Sequence, residues 1–216
     1  MVAKPKSITA ILLSWKRTHN LPRILQQLEA SPLISEIMLW NNDPGVQLEF
    51  PGVKVINSPR NYHCLARYCL VPLAANQTIW FQDDDVVIRP DQIEAIHSEY
   101  IKDPSRLYGA AGRNIVNGLY SADLEHGECD IILGQTMLFN RALLYHAFEP
   151  AGLPPVEVLE DDIIFSLACG CRHFAVDVGP IEMPGWDDEA AIWKRPGHFE
   201  QRQQAVDFML AWRSKD

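Results

Sequence analysis

The chain lacks a glycine-rich phosphate loop. No GxGxxG follows its first apolar run, and Asn61 to Arg67 holds no glycine. That argues against a nicotinamide-cofactor fingerprint and against a P-loop. Ser14 and Ser166 lack the flanking glycines of a nucleophile elbow. Cationic residues are scarce: 19 Lys and Arg stand against 28 Asp and Glu, for a net charge of −9. This balance excludes broad, non-specific binding to nucleic acid or anionic membranes, which needs a cationic surface. Long apolar runs are missing too. Ile8 to Trp15 is too short to span a bilayer, and Met1 to Ser7 carries two lysines with no apolar run. Cysteine is limited to Cys64, Cys69, Cys129, Cys169 and Cys171, an odd number without a framework. That suits a reducing compartment, and the spacing of Cys169 and Cys171 fits neither zinc nor redox motifs, so they are expected as small buried residues. A cytoplasmic chain without a membrane span is expected.

What is present reads as α/β. The 216 residues, 47% hydrophobic and 22% charged, suffice for one domain with a substantial core. Ile8–Leu13 is a continuous apolar run of the kind covered on both faces. Leu21, Ile24, Leu25 and Leu28 follow at helical spacing behind Pro22. Strands are expected at Ile37–Trp40, Val53–Ile56 and Thr78–Phe81. A helix is expected from Tyr62 to Ala75, distorted at Pro72, and another after Pro90 with Ile93, Ile96 and Tyr100. This alternation predicts a largely parallel sheet, with ligands beyond the carboxyl ends of its strands. The second half is less regular. It offers strands around Gly134 and over Arg172–Val178, and a short amphipathic helix at Ile163–Ala168. A loop from Pro180 to Gly197 is expected to be able to move, and the last helix carries a Phe199, Val206, Met209 and Leu210 stripe.

Asp83-Asp84-Asp85 stands where the fourth strand ends. Three adjacent carboxylates repel one another, and a hard divalent cation such as Mg²⁺ or Mn²⁺ gives that placement a reason. Strand alternation would turn Asp83 and Asp85 to one site and Asp84 away; an acidic turn in water is the plainer reading. Glu160-Asp161-Asp162 opens the Ile163 helix, where one carboxylate can serve as a cap and the others as acid–base or electrostatic groups. His198 and Arg202, four apart, share a helix face as a possible metal ligand and phosphate clamp, or as a solvated pair. Arg17 and Arg67 are candidates for nucleotide contact. Trp186 and Trp193 suit either stacking on a sugar or packing.

Taken in order, several segments resemble the exostosin-type glycosyltransferase domain, a retaining GT-A enzyme of glycosyltransferase family 64. They are Leu13-Ser14-Trp15-Lys16-Arg17-Thr18, Leu39-Trp40-Asn41-Asn42, Gln82-Asp83-Asp84-Asp85, Leu133 to Asn140, Asp161-Asp162-Ile163 and Trp193 to Arg202. The resemblance implies a single GT-A, Rossmann-like nucleotide-diphospho-sugar transferase domain over 1–216, with a nucleotide-binding half (1–100) and an acceptor-binding, catalytic half (101–216). It implies a UDP-sugar donor, a hexose or N-acetylhexosamine, and Mn²⁺ (or Mg²⁺). Arg17, Asn42, Asn61, Arg67, Asp83 and Asp84 would contact the donor, Asp85 would ligate the metal, and His198 would sit near the diphosphate or metal. Asp162 would face the anomeric centre with Asp161 beside it, and Arg202 would neutralise the leaving diphosphate. The family has cysteine where this chain has Glu160, so Glu160-Asp161 and Asp161-Asp162 both stand as the catalytic pair. A sugar-phosphate nucleotidyltransferase and a non-catalytic nucleotide-sugar-binding module are the alternatives. As acceptor, a surface glycan, a lipid-linked sugar, a small molecule and a modified DNA base all stay open.

Overall fold

A computed structural model describes residues 7–148, 160–189 and 191–214. Most of the N-terminal leader reading, residues 1–6, lies outside them. The first half follows the sequence pattern closely. β1 (Ile8–Ser14) is buried throughout. Ile8, Ala10 and Leu12 pack on one face against α1 (Leu21–Ala30), while Ile11 points to the other face, as a two-residue period requires. β2 (Ile34–Asn41), β3 (Val53–Asn57) and β4 (Thr78–Asp83) join β1 in the order β3-β2-β1-β4, all parallel. α2 (Pro90–Tyr100) opens on Pro90, and the Gln92 side chain accepts the Arg89 backbone N–H at 2.9 Å. This satisfies a donor the helix itself cannot pair.

The expected Tyr62–Ala75 helix is instead a 3-10 segment over Cys64–Leu73. Pro72 lacks the N–H that an α-helix would need there. The segment also enters from His63 at φ +57° and must bury Arg67 and Tyr68 in the interior.

The second half is assembled from short pieces: β5 (Tyr108–Gly109), β6 (Gly112–Arg113), β7 (Ile115–Val116), β8 (Leu119–Tyr120), β9 (Gly127–Cys129), β10 (Ile131–Ile132), β11 (Thr136–Asn140) and β12 (His173–Ala175). β11 lies antiparallel beside β4 and extends the main sheet to β3-β2-β1-β4-β11-β5-β12-β9. β12 is shorter than the Arg172–Val178 run because its neighbours offer only two residues (β5) and three (β9) to pair with. α3 (Asp161–Ala168) is buried on every side rather than amphipathic. It is wedged against β10 and α4 (His198–Arg213), so it has no water-facing stripe. The buried residues of α4 are Arg202, Ala205, Val206 and Met209, spaced for one helix face. Phe199 and Leu210, expected inside, are exposed. Among the described residues no helix is long and apolar enough to cross a membrane.

Candidate active site

The carboxyl ends of β1, β2 and β4 meet on one edge, with Ser14 beside Asn41 and Leu13 beside Asp83. There they open into a cavity of about 280 Å³. Arg17, Asn42, Asn61, Arg67, Asp83, Asp84 and Asp85 line its strand-end side. Asp162, His198 and Arg202 line the opposite side, from α3 and α4, while Asp161 of α3 reaches across to Arg67 on the strand-end side. Every residue singled out in the sequence as a donor, metal or catalytic candidate therefore faces one space.

Three buried arginines organise it. Arg67, 1% exposed, donates from Nη1 to Asp83 Oδ1 and to the Gly134 carbonyl (2.9 Å each), and from Nη2 and Nε to Asp161 Oδ2 (2.7 and 3.1 Å). Arg17 lies 3.5 Å from Asp84 and 3.3 Å from Asp85, and clamps Asp188 through Nε and Nη2 (2.8 and 2.9 Å). Arg202 donates to Glu160 Oε2 (2.5 Å) and Asp162 Oδ2 (2.9 Å), with its guanidinium 4.8 Å over the Tyr120 ring. Buried carboxylates need such partners.

The expected split of the acidic triplet is corrected. Asp84 does not leave the site: its Oδ2 accepts the Trp15 backbone N–H (2.6 Å) and the Ser14 hydroxyl (3.2 Å), which fastens β4 to the end of β1. Asp83 goes to Arg67, while Asp84 and Asp85 share Arg17. The strand ends at Asp83, so its alternation no longer governs the two residues that follow. Asn42 is also a brace. Its amide oxygen accepts from Trp40 Nε1 and Tyr62 N–H (3.0 Å each), and its amide nitrogen donates to the His63 carbonyl (3.1 Å). Asn61 caps the same bend by accepting the His63 N–H at 2.7 Å.

The charges are uneven. Burial, then repulsion from neighbouring acids, pushes Asp83 above the usual carboxylate range, and burial pushes Asp84 up to about 6 and raises Asp85. Across the cavity, two acids on one arginine diverge. Burial raises Glu160 to about 7. For Asp162 burial works the same way, but the Arg202 charge and hydrogen bond and the Gly134 N–H outweigh it and hold the carboxyl below its ordinary value. Burial and the Arg202 charge lower His198, which favours the neutral ring.

The part of the loop from Pro180 to Asp188 is tied to the body of the domain at several points. Asn20 bridges the Asp84 and Pro184 carbonyls (2.9 and 3.1 Å), Arg23 pairs with Glu182, and Val87 N–H reaches the Glu182 carbonyl at 2.9 Å. Trp186 and Trp193 stack on each other, ring centroids 5.6 Å apart, and stay partly exposed at the cavity wall. Sequence reasoning gave no role to Tyr120, Arg113 or Asp188. The first two sit on two-residue strands without a periodic signal, and Asp188 becomes meaningful only through Arg17. All five cysteines are free; Cys171 is exposed and Cys169 half-buried, not the buried pair expected.

The mixed sheet with its parallel strand ends is the fold of the GT-A glycosyltransferases. Solved structures of that class share the fold. S. aureus TarS residues 1–349 superpose with a TM-score of 0.56 at 13% identity, covering 97% of this chain and 72% of that one. The same protein in complex with UDP gives 0.61 at 12%, covering 94% and 65%. GalNAc-T7 with UDP, GalNAc and Mn²⁺ gives 0.63 at 10%, covering 94% of this chain and 48% of that one. No curated protein sequence matches. The glycosyl transferase family 64 domain matches residues 8–215, and the chain belongs to that family.

Proposed function

We propose that the chain is a metal-dependent, retaining, exostosin-like glycosyltransferase that moves a hexose or N-acetylhexosamine from a UDP-sugar to an acceptor hydroxyl. In this reading 1–216 works as one unit, 1–100 serving the donor and 101–216 the acceptor.

The observation that carries it is the charge count at the strand ends. Among the described residues, Asp83, Asp84, Asp85, Asp161 and Asp188 crowd around Arg17 and Arg67. A dianionic diphosphate entering this lobe meets excess acid, and burial already disfavours the charged form of Asp83, Asp84 and Asp85. A divalent cation resolves both problems. Among the described residues no three His, Cys, Asp or Glu side chains converge as a complete metal shell. The protein would therefore hold Mn²⁺ or Mg²⁺ with Asp85, and with His198 whose Nδ1 is buried without a partner, leaving remaining positions to phosphate oxygens. The UDP and Mn²⁺ in the GalNAc-T7 structure and the UDP in the TarS complex support this choice of donor and ion. When bound, the ion would neutralise charge on the departing diphosphate.

The chain's own residues supply the rest. Arg17 and Arg67 orient the donor-side carboxylates. Asp162, held ionised, stabilises positive charge developing at the anomeric carbon. Arg202 keeps Asp162 in place and lends charge toward the leaving group. The five free cysteines suit a cytoplasmic setting.

The test is Mn²⁺-dependent UDP release across a panel of UDP-hexoses and UDP-N-acetylhexosamines, with the anomeric configuration of the product read by NMR. No UDP release with any donor, and no thermal shift with UDP–Mn²⁺, overturns the reading. Pyrophosphate in place of UDP would make the chain a nucleotidyltransferase. UDP binding without turnover would make it a binding module.

A further inference from the structure

Buried polar atoms without partners cost free energy and mark where a ligand completes a site. Among the described residues, four such atoms belong to residues lining this cavity: Arg113 Nε, Glu160 Oε1, His198 Nδ1 and Arg202 Nε. All lie in the 101–216 half, away from the strand ends. Three are nitrogens, and the only oxygen is that of Glu160. The other two acids of its triplet are engaged. Asp162 Oδ1 accepts the Ile163 N–H (2.9 Å) and its Oδ2 accepts from Arg202 and Gly134 (2.9 and 3.2 Å), while Asp161 Oδ2 takes two N–H groups of Arg67. Glu160 itself is 2% exposed and, among the described residues, fixed from one side only, by Arg202 Nη1 on Oε2.

An attacking hydroxyl needs donors for its oxygen and an acceptor for its proton. The arginine Nε atoms can serve the first need and Glu160 Oε1 the second. We propose that Glu160 is a further catalytic residue, the base that removes the acceptor's proton. The inference rests on the glycosyltransferase reading above. The acceptor oxygen forms its bond to the sugar C1 on the same face from which the C1–O bond to the diphosphate breaks, which keeps the anomeric configuration. The bonding pair leaves on the diphosphate, the hydroxyl proton passes to the Glu160 carboxylate, and solvent takes it after the product departs. Nothing is oxidised or reduced.

The divergence of the two acids on Arg202 supports the assignment. Glu160 is raised to about 7 while Asp162 is lowered, and environments that separate two carboxyls in this way separate a base from a fixed anion. The charged groups facing Glu160 are Arg202 on α4 and Asp161 and Asp162 on α3. Tyr120 lies under Arg202, with His198 and Arg113 on the same lobe.

The experiment uses the full chain with UDP-N-acetylhexosamine or UDP-hexose and Mn²⁺, with water as the acceptor and UDP release as the readout. Wild type should gain rate with rising pH through a limb near 7. Glu160→Gln should lose that limb and about 100-fold in rate, while UDP–Mn²⁺ affinity stays within about twofold. Glu160→Ala should regain rate with added formate, a readout that does not depend on the Gln variant folding. A Gln variant that keeps the rate and the limb overturns the proposal. So does joint loss of rate and UDP affinity without formate rescue, which would leave Glu160 as an anchor for Arg202. A wild-type chain that binds UDP–Mn²⁺ but turns over no donor sinks the reading of the whole site, and this role with it.

Discussion

The two ends of the cleft use the same residue types in opposite proportions. At the strand ends, five aspartates share Arg17 and Arg67. At the helix end, Arg113, Arg195 and Arg202 line the wall with Glu160 and Asp162. The first arrangement asks for a cation. The second already holds its charge and leaves hydrogen-bonding atoms open for a neutral, hydroxylated partner. The ends also differ in construction. One rests on long parallel strands whose register fixes the side chains; the other rests on strands of two or three residues, a buried helix and a pinned loop. A donor common to many enzymes suits the rigid end, and an acceptor peculiar to one suits the end made of loops.

Several measurements would break or sharpen that contrast. The largest effect should come from Arg67→Ala, which leaves Asp83 and Asp161 without their shared cation. Denaturant unfolding should show a loss of about 3–5 kcal/mol, and a loss below about 1 kcal/mol would mean the strand-end network is not held by this residue. His173 should give the next largest. Its Nδ1 accepts the Leu107 N–H and its Nε2 donates to the Ser166 carbonyl, tying α3 to the sheet, and burial lowers its pKa to about 4. The unfolded chain binds that proton more readily, so this contribution is complete above pH 6.5, the ordinary value, and is lost as pH falls toward 4. Unfolding free energy should drop by up to about 3 kcal/mol across that window, a component that His173→Gln should remove.

The functional pair comes third. Asp85→Ala should abolish Mn²⁺-dependent UDP binding, whereas Asp162→Ala should spare binding and cut turnover by roughly 100-fold. Calorimetry and UDP release together decide it, and collapse of UDP affinity in the Asp162 variant would erase the division between the ends. Gly134→Ala should cost about 2 kcal/mol by crowding, because its new methyl would lie 2.5 Å from Arg67 Nη2; an unchanged melting curve would show that the guanidinium can step aside. The smallest effect belongs to Arg23→Ala. Its pair with Glu182 is exposed on both sides, so stability should move by less than about 0.5 kcal/mol, and a larger drop would show that the loop depends on that clasp.

Much of the strand-end side was legible in the sequence. Ile8–Leu13 is an apolar run that burial on both faces forces into a strand, Ile37–Trp40, Val53–Ile56 and Thr78–Phe81 are shorter runs of the same kind, and the first, second and fourth of them lead into residues that line the cleft. The helix end was harder to read because its partners are not neighbours in sequence. Arg202 and Glu160 are 42 positions apart, and Arg17 and Asp188 are 171 apart. Spacing within the acidic triplet left two pairings open. The arginines divide it differently from both: Asp161 goes to Arg67, and Glu160 with Asp162 goes to Arg202. The 3-10 turn at Cys64–Leu73 escaped for a similar reason. A helical apolar pattern was visible, but the demand to bury Arg67 was not.

The peptide of Gly134 belongs to both ends at once, its carbonyl held by Arg67 and its N–H by Asp162. Anyone seeking to redirect this enzyme to a new acceptor should therefore leave that residue alone. Variation is better spent on the wall at Trp186, Trp193 and Phe199, where side chains stand exposed. A library built there changes what the mouth admits without loosening the seam on which donor and acceptor geometry both depend.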